Sequence, residues 1–224
     1  MPKNLSIALL IISNLIPVIG VIYAGWSAAS IVLVYWAENL VIGIYNILKM
    51  LTVAPSKKDK LFHRVFAPAF FIIHFGGFAA GHGGFLLDIF DIQSAASPAD
   101  GQEWPGPLIL LQMLYTVMQS LFMQMPAGFI WAIAALFISH GISFTQHFIM
   151  GGERYRTSVN KLMIQPYSRV LVMHIAIIVC GFMVVKLGSP LSMLVALVLV
   201  KTGMDIMLHR REHRKLQTSP AGDE

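Results

Sequence analysis

Six stretches of about 20 mainly apolar residues dominate this chain, at 5–24, 28–51, 66–89, 126–150, 167–187 and 190–208. Each matches the roughly 20 residues a helix needs to cross the hydrocarbon core of a bilayer. Nothing else in the sequence restricts the fold so strongly. In lipid, backbone polar groups must be satisfied inside the segment, so runs of this length predict helices. A barrel would need alternating strands of about 10 residues. Composition agrees, with 56% hydrophobic and only 12% charged residues, against about a quarter charged in soluble domains. That excludes a disordered chain and argues against a soluble enzyme. A seventh stretch, 107–124, is apolar but short and carries Gln112, Gln119 and Gln124. The expected fold is all-α: a polytopic transmembrane helix bundle of six spans plus one interfacial or re-entrant helix. It forms a single domain over residues 1–216, followed by a polar C-terminal tail at 217–224.

Charge placement sets the expected orientation. The formal net charge is +5, but the basic residues cluster in loops and tails beside apolar runs, which is membrane topology and not a nucleic-acid surface. Lys3, then Lys57, Lys58, Lys60 and Arg64, then Arg154, Arg156 and Lys161, then Arg210, Arg211, Arg214 and Lys215 mark four basic regions. The loop from Asp88 to Gly106 carries Asp88, Asp91, Asp100 and Glu103 and no Lys or Arg. The positive-inside rule places the basic regions in the cytoplasm and the acidic loop outside. This holds when 107–124 does not cross. If it does cross, the chain has seven spans and the 151–166 loop lands outside. The expectation is a multi-pass protein of the cytoplasmic membrane, both termini inside, surrounded by lipid. Residues 5–24 follow Lys3 as a signal peptide would, but Tyr23-Ala24-Gly25-Trp26 is a poor cleavage cue. The one cysteine, Cys180, excludes an internal disulfide and a Cys-based zinc or iron–sulfur site within one chain.

Ionisable side chains at bilayer depth are costly, so each is a functional candidate. Glu38 lies mid-span, His74 and His82 on the third run, His140 and His147 on the next full span, and His174 after it. Lys201, Asp205 and His209 follow on the last. At 1.5 Å per residue, Glu38, His74, His140, His174, Asp205 and His209 reach the inner half of the membrane. His140 and His147 are seven apart and share a helical face, with Ser143 between them. Lys201, Asp205, His209 and His213 form a polar stripe at four-residue spacing. Carboxylate and imidazole so arranged suit zinc, iron or copper.

Plainer readings compete. Lys201 and Asp205 make an i,i+4 ion pair. His209 and His213 belong to the basic tail, and His63 to a solvated basic loop. The glycines between His74 and Phe85 allow tight helix packing as well as a flat ligand. Met113, Met118, Met123 and Met125 read as adaptable packing and not as a copper site, because their spacing makes no clean face.

Tyr35-Trp36-Ala37-Glu38-Asn39, His74-Phe75-Gly76-Gly77-Phe78 and Lys201-x3-Asp205-x3-His209 together resemble a prokaryotic family of polytopic membrane proteins with no assigned function. That likeness covers nearly the whole chain and implies no activity. Ser139, His140, Asp205, His209 and His213 are similar in type to the three histidines, aspartate and serine of membrane-embedded zinc hydrolases such as alkaline ceramidases and adiponectin receptors. Trp36-Ala37-Glu38-Asn39 resembles the ceramidases' early acidic motif. The likeness is one of donor chemistry, since those proteins have seven spans and a different residue order.

The leading expectation is a metal-dependent membrane enzyme acting on a lipid-like substrate. His74, His140, His174, Asp205 and His209 are the candidate metal ligands, and Glu38 and Asp205 the candidate catalytic carboxylates. Two alternatives stand beside it. One is a proton- or ion-coupled transporter using the same residues as a relay. The other is a b-type haem protein with two of His74, His82, His140 and His174 as axial ligands.

Overall fold

The structure is a computed structural model. It describes residues 19, 21–23, 25–55, 61–95, 103–125, 127–168, 170–171, 174–175, 194–196, 198–200 and 202–203. The chain divides into two compact units, one of Val32–Leu171 and one of Met1–Ile31 with Val172–Glu224. In the second of these the described stretches are short and mostly helical, with Leu194 and Val198 buried. The predicted spans 5–24, 167–187 and 190–208 lie largely outside the described residues.

The unit of Val32–Leu171 carries helices α1 (Ala28–Thr52, from Val32 onward), α2 (Leu61–Ile89), α3 (Ile109–Gln124), α4 (Ala127–Ser143) and α5 (Val159–Ile164). Short 3₁₀ turns at Gly106–Leu108 and Glu153–Tyr155 precede α3 and α5, and a π-helical turn, Phe144–Met150, continues α4. No strand occurs among the described residues. Among the described residues, four helices are long and apolar enough to cross a membrane: Ala28–Thr52, Arg64–Ile89, Gly106–Gln124 and Gly128–Met150.

Helices α1 and α2 run antiparallel. The Trp36 indole N–H donates to the Ala79 carbonyl at 3.0 Å, Gly43 faces the Phe75 ring, and Arg64 Nη2 donates to the Val53 carbonyl at 3.1 Å. Helix α4 runs parallel to α1, with Tyr45 against Phe137 and Phe144, and Lys49 above the Phe148 ring.

The 107–124 run packs against the chain that precedes it. Helix α2 ends at Ile89, and the chain turns back through Asp91 at a positive φ of 53°. Gln93, Ala95 and Trp104 then lie along α3. Gln124 exchanges hydrogen bonds with the Gln93 backbone in both directions, Ser120 Oγ accepts from Ala95 N at 2.7 Å, and Gln112 Oε1 accepts from Trp104 N at 2.7 Å. Leu110 and Leu111 sit against Gly77 and Gly76, and Val117 against Gly83. Helix α3 therefore runs parallel to α2. It starts beside Gly76, roughly 20 Å below Ile89 at 1.5 Å per residue, and finishes beside Gln93. Its approach and its exit lie at one end of the bundle. Gln112 and Gln124, the glutamines that weaken this run as a span, satisfy non-helical backbone instead.

At the opposite end, Met50, Phe71, Phe148, Val159 and Leu162 close a buried cluster. Helix α5 falls inside the basic 151–166 loop. Ser158 caps it by accepting from Lys161 N, and Val159 and Leu162 are fully buried. The Asn46 side-chain amide donates to the Leu162 carbonyl at 2.9 Å, which holds α5 against α1.

One expected alignment changes. His140 and His147 do not share a plain α-helical face, because the chain between them widens into the π turn at Phe144. An i→i+5 turn rotates less per residue than an α-helix, and such turns recur at functional sites.

Candidate functional site

Helix α1 presents Glu38, Ile42, Tyr45 and Lys49 at spacings of four, three and four, one face of a helix. Helix α4 meets this face with His140. Glu38 Oε1 lies 3.9 Å from His140 Nε2, and both side chains are partly buried. The separation exceeds a direct hydrogen bond but makes an ion pair when the imidazole is protonated. The Tyr45 ring stacks on His140 with centroids 6.2 Å apart, and the Tyr45 hydroxyl donates to the Phe137 carbonyl at 2.8 Å. Tyrosine and carboxylate thus both stand beside the imidazole.

His140 opens onto a polar cavity of about 250 Å³. Tyr45, Asn46, Lys49, Ser143 and Gln165 line it with hydroxyl, amide and ammonium groups. At its edge the Lys49 ammonium stands 3.9 Å from Glu153 Oε2. A second cavity, of about 300 Å³, lies among α1, α2, α3 and α4. Its walls are apolar, including Leu40, Ile44, Phe75, Leu114, Met118 and Phe137. Phe137 of the apolar cavity and His140 of the polar one are three residues apart on α4, so the two open within one helical turn of each other.

A family model described as a family of unknown function, DUF6498, matches residues 1–222. The chain belongs to that family. No curated protein and no solved structure matches it. The family carries no activity to transfer, so the chemistry rests on the side chains themselves.

Of the sequence-predicted residues, Glu38 and His140 come together. His74 is engaged elsewhere: its Nδ1 lies 2.9 Å from the Tyr167 hydroxyl, and its ring stacks on Phe70 at 4.9 Å and meets Phe78 edge-on at 5.1 Å. His82 is buried beside Phe78, one turn further along α2. His174 belongs to the other unit and is exposed there. Asp205 and His209 lie outside the described residues. Among the described residues, no three His, Cys, Asp or Glu side chains form a group able to hold a metal.

Tyr45, Asn46, Lys49 and Gln165 were not among the expected site residues. The first three carry a readable signal, since Glu38, Tyr45 and Lys49 share a helical face and Asn46 adjoins it. Gln165 carries none, because only the tertiary fold brings the end of α5 to α1.

Proposed function

We propose that this protein is a multi-pass enzyme of the cytoplasmic membrane that acts on a lipid-like substrate, with His140 and Glu38 as its proton-transfer pair. The observation that carries this reading is the meeting of two unlike cavities on α4. An apolar cleft among four helices suits an acyl chain. The polar cavity one turn away suits the headgroup linkage, and it holds an imidazole backed by a carboxylate. Proton transfer needs a group that takes and gives a proton near neutral pH, and histidine is the usual one.

The α3 hairpin supports the six-span topology with both termini inside. Non-helical backbone at membrane depth is tolerated where protein satisfies it, and Gln112, Ser120 and Gln124 do so here. With α3 returning to its starting side, the basic loops and the acidic loop fall on opposite faces.

The test uses the full chain in phosphatidylcholine vesicles with a fluorogenic long-chain acyl ester. Turnover that falls at least 100-fold in His140→Ala and Glu38→Gln supports the reading. Turnover unchanged in both variants overturns it.

A second reading adds a divalent metal at the same pair. Two bonds of roughly 2.0–2.2 Å can join donors 3.9 Å apart. A catalytic metal takes about three protein ligands, so this reading needs a third donor beside Glu38 and His140. Elemental analysis of protein purified without chelator tests it. Zinc, iron or copper near one per chain, lost in His140→Ala, supports it, and metal content unchanged in that variant counts against it.

A further inference from the structure

We propose that Ser143 is an acyl-accepting nucleophile and that the substrate is an ester of a long-chain acid. This rests on the reading of His140 and Glu38 as a proton-transfer pair.

Ser143 is the last residue of α4 before the π turn, and it lines the polar cavity together with His140. The two are three residues apart, which places neighbouring side chains about 5–6 Å apart at Cβ on one helical face. The order Ser143, His140, Glu38 is that of a nucleophile, a base and the carboxylate that orients the base.

The hydroxyl's bonding makes the second point. In an apolar helix, serine and threonine normally donate back to their own backbone. Thr52, Thr116, Ser120 and Thr145 all do so, to Leu48, Gln112, Thr116 and Gly141. Ser143 stands at the head of the π turn, and its side chain makes no capping bond to a backbone N–H there. Ser143 is exposed, and it lines the cavity that also holds His140.

The step balances as hydrolysis. Ser143 Oγ adds to the ester carbonyl carbon, and His140 takes the hydroxyl proton. The bond from the carbonyl carbon to the alcohol oxygen breaks, and His140 returns the proton to that oxygen. Water then attacks the acyl-serine ester while His140 takes a proton from it, the bond from the acyl carbon to Ser143 Oγ breaks, His140 returns the proton to Oγ, and the free acid leaves. Glu38 stabilises the imidazolium formed in each half. Lys49, on the cavity wall, offers positive charge to the carbonyl oxygen as negative charge develops there. The acyl chain lies in the apolar cleft beside Phe137.

The experiment treats full-length protein in phosphatidylcholine vesicles with a hexadecyl fluorophosphonate and locates the adduct by peptide mass spectrometry. The same vesicles are assayed with the fluorogenic acyl ester. The expected result is an adduct at Ser143, absent in Ser143→Ala and formed about 100-fold more slowly in His140→Ala. Ester hydrolysis should be lost in Ser143→Ala. A photoreactive acyl ester that still cross-links to Ser143→Ala shows that this variant keeps its fold. If Ser143→Ala hydrolyses the ester as fast as the unsubstituted protein, the nucleophile is overturned while the His140–Glu38 reading stands. If the unsubstituted protein neither hydrolyses the ester nor takes up the probe, both are overturned.

Discussion

Trp36 covers Gly83 so closely that a Cβ at position 83 would stand 2.6 Å from the indole Cζ2, with Val117 Cγ1 at 2.6 Å on its other side. Trp36 is itself buried, and its indole N–H is committed to the Ala79 carbonyl. Three helices thus converge at one glycine. Gly83→Ala is expected to destabilise the protein by about 1–3 kcal/mol through overpacking. Gly84 has open space where its Cβ would sit. Gly84→Ala should therefore be neutral or stabilising by up to about 1 kcal/mol from helix propensity. Thermal unfolding of both variants in detergent measures the difference. Equal behaviour would show that α1, α2 and α3 do not pack in this way.

The α3 hairpin makes a topological prediction. Ile92 and Met125 flank it at one end of the bundle, and Ala54 stands at the other. In a Cys180→Ser background, Ile92→Cys and Met125→Cys should react with an impermeant maleimide from the same side of a sealed vesicle. Ala54→Cys should react only from the opposite side. Labelling of positions 92 and 125 from opposite sides would make Gly106–Gln124 a true crossing and the chain a seven-span protein.

How much of this the sequence revealed depended on the range of each interaction. Apolar runs report burial directly, so helices 28–52, 61–89 and 127–150 were legible within a few residues. The glutamines of 107–124 signalled that this run needs hydrogen-bond partners at that depth. Its partners, the backbone of Gln93 and Trp104, were not legible, because they depend on how a loop folds back. Glu38 and His140 were legible by depth alone. Helix α5 was hidden: it is six residues long, sits inside a basic loop, and is held by the distant Asn46. The π turn was hidden too, and with it the true relation of His140 to His147.

Asn46 tests the hold on α5. It is 5% exposed and donates to the Leu162 carbonyl. Asn46→Ala removes that bond and leaves a buried carbonyl unpaired, at a cost of about 1–3 kcal/mol. Because Asn46 also lines the polar cavity, loosening α5 should widen the cavity mouth near Gln165 and Pro166. Thermal unfolding measures the first effect. Faster proteolysis within 151–166 under native conditions measures the second. Unchanged stability and unchanged cleavage would mean that α5 is not anchored through Asn46.

His74 separates the two readings of the histidines. A shared metal centre would need His74 beside His140, whereas its Nδ1 is engaged with the Tyr167 hydroxyl and its ring is packed against Phe70 and Phe78. The bond to Tyr167 joins α2 to the chain that follows α5. Tyr167→Phe should cost about 1 kcal/mol of stability, the net worth of one hydrogen bond, and leave ester turnover unchanged. His74→Phe should keep the ring packing, lose the same bond and also retain turnover. His140→Phe should abolish it. If His74→Phe and His140→Phe lose activity and bound metal together, the histidines form one centre, and the proton-transfer pair gives way to a metal site.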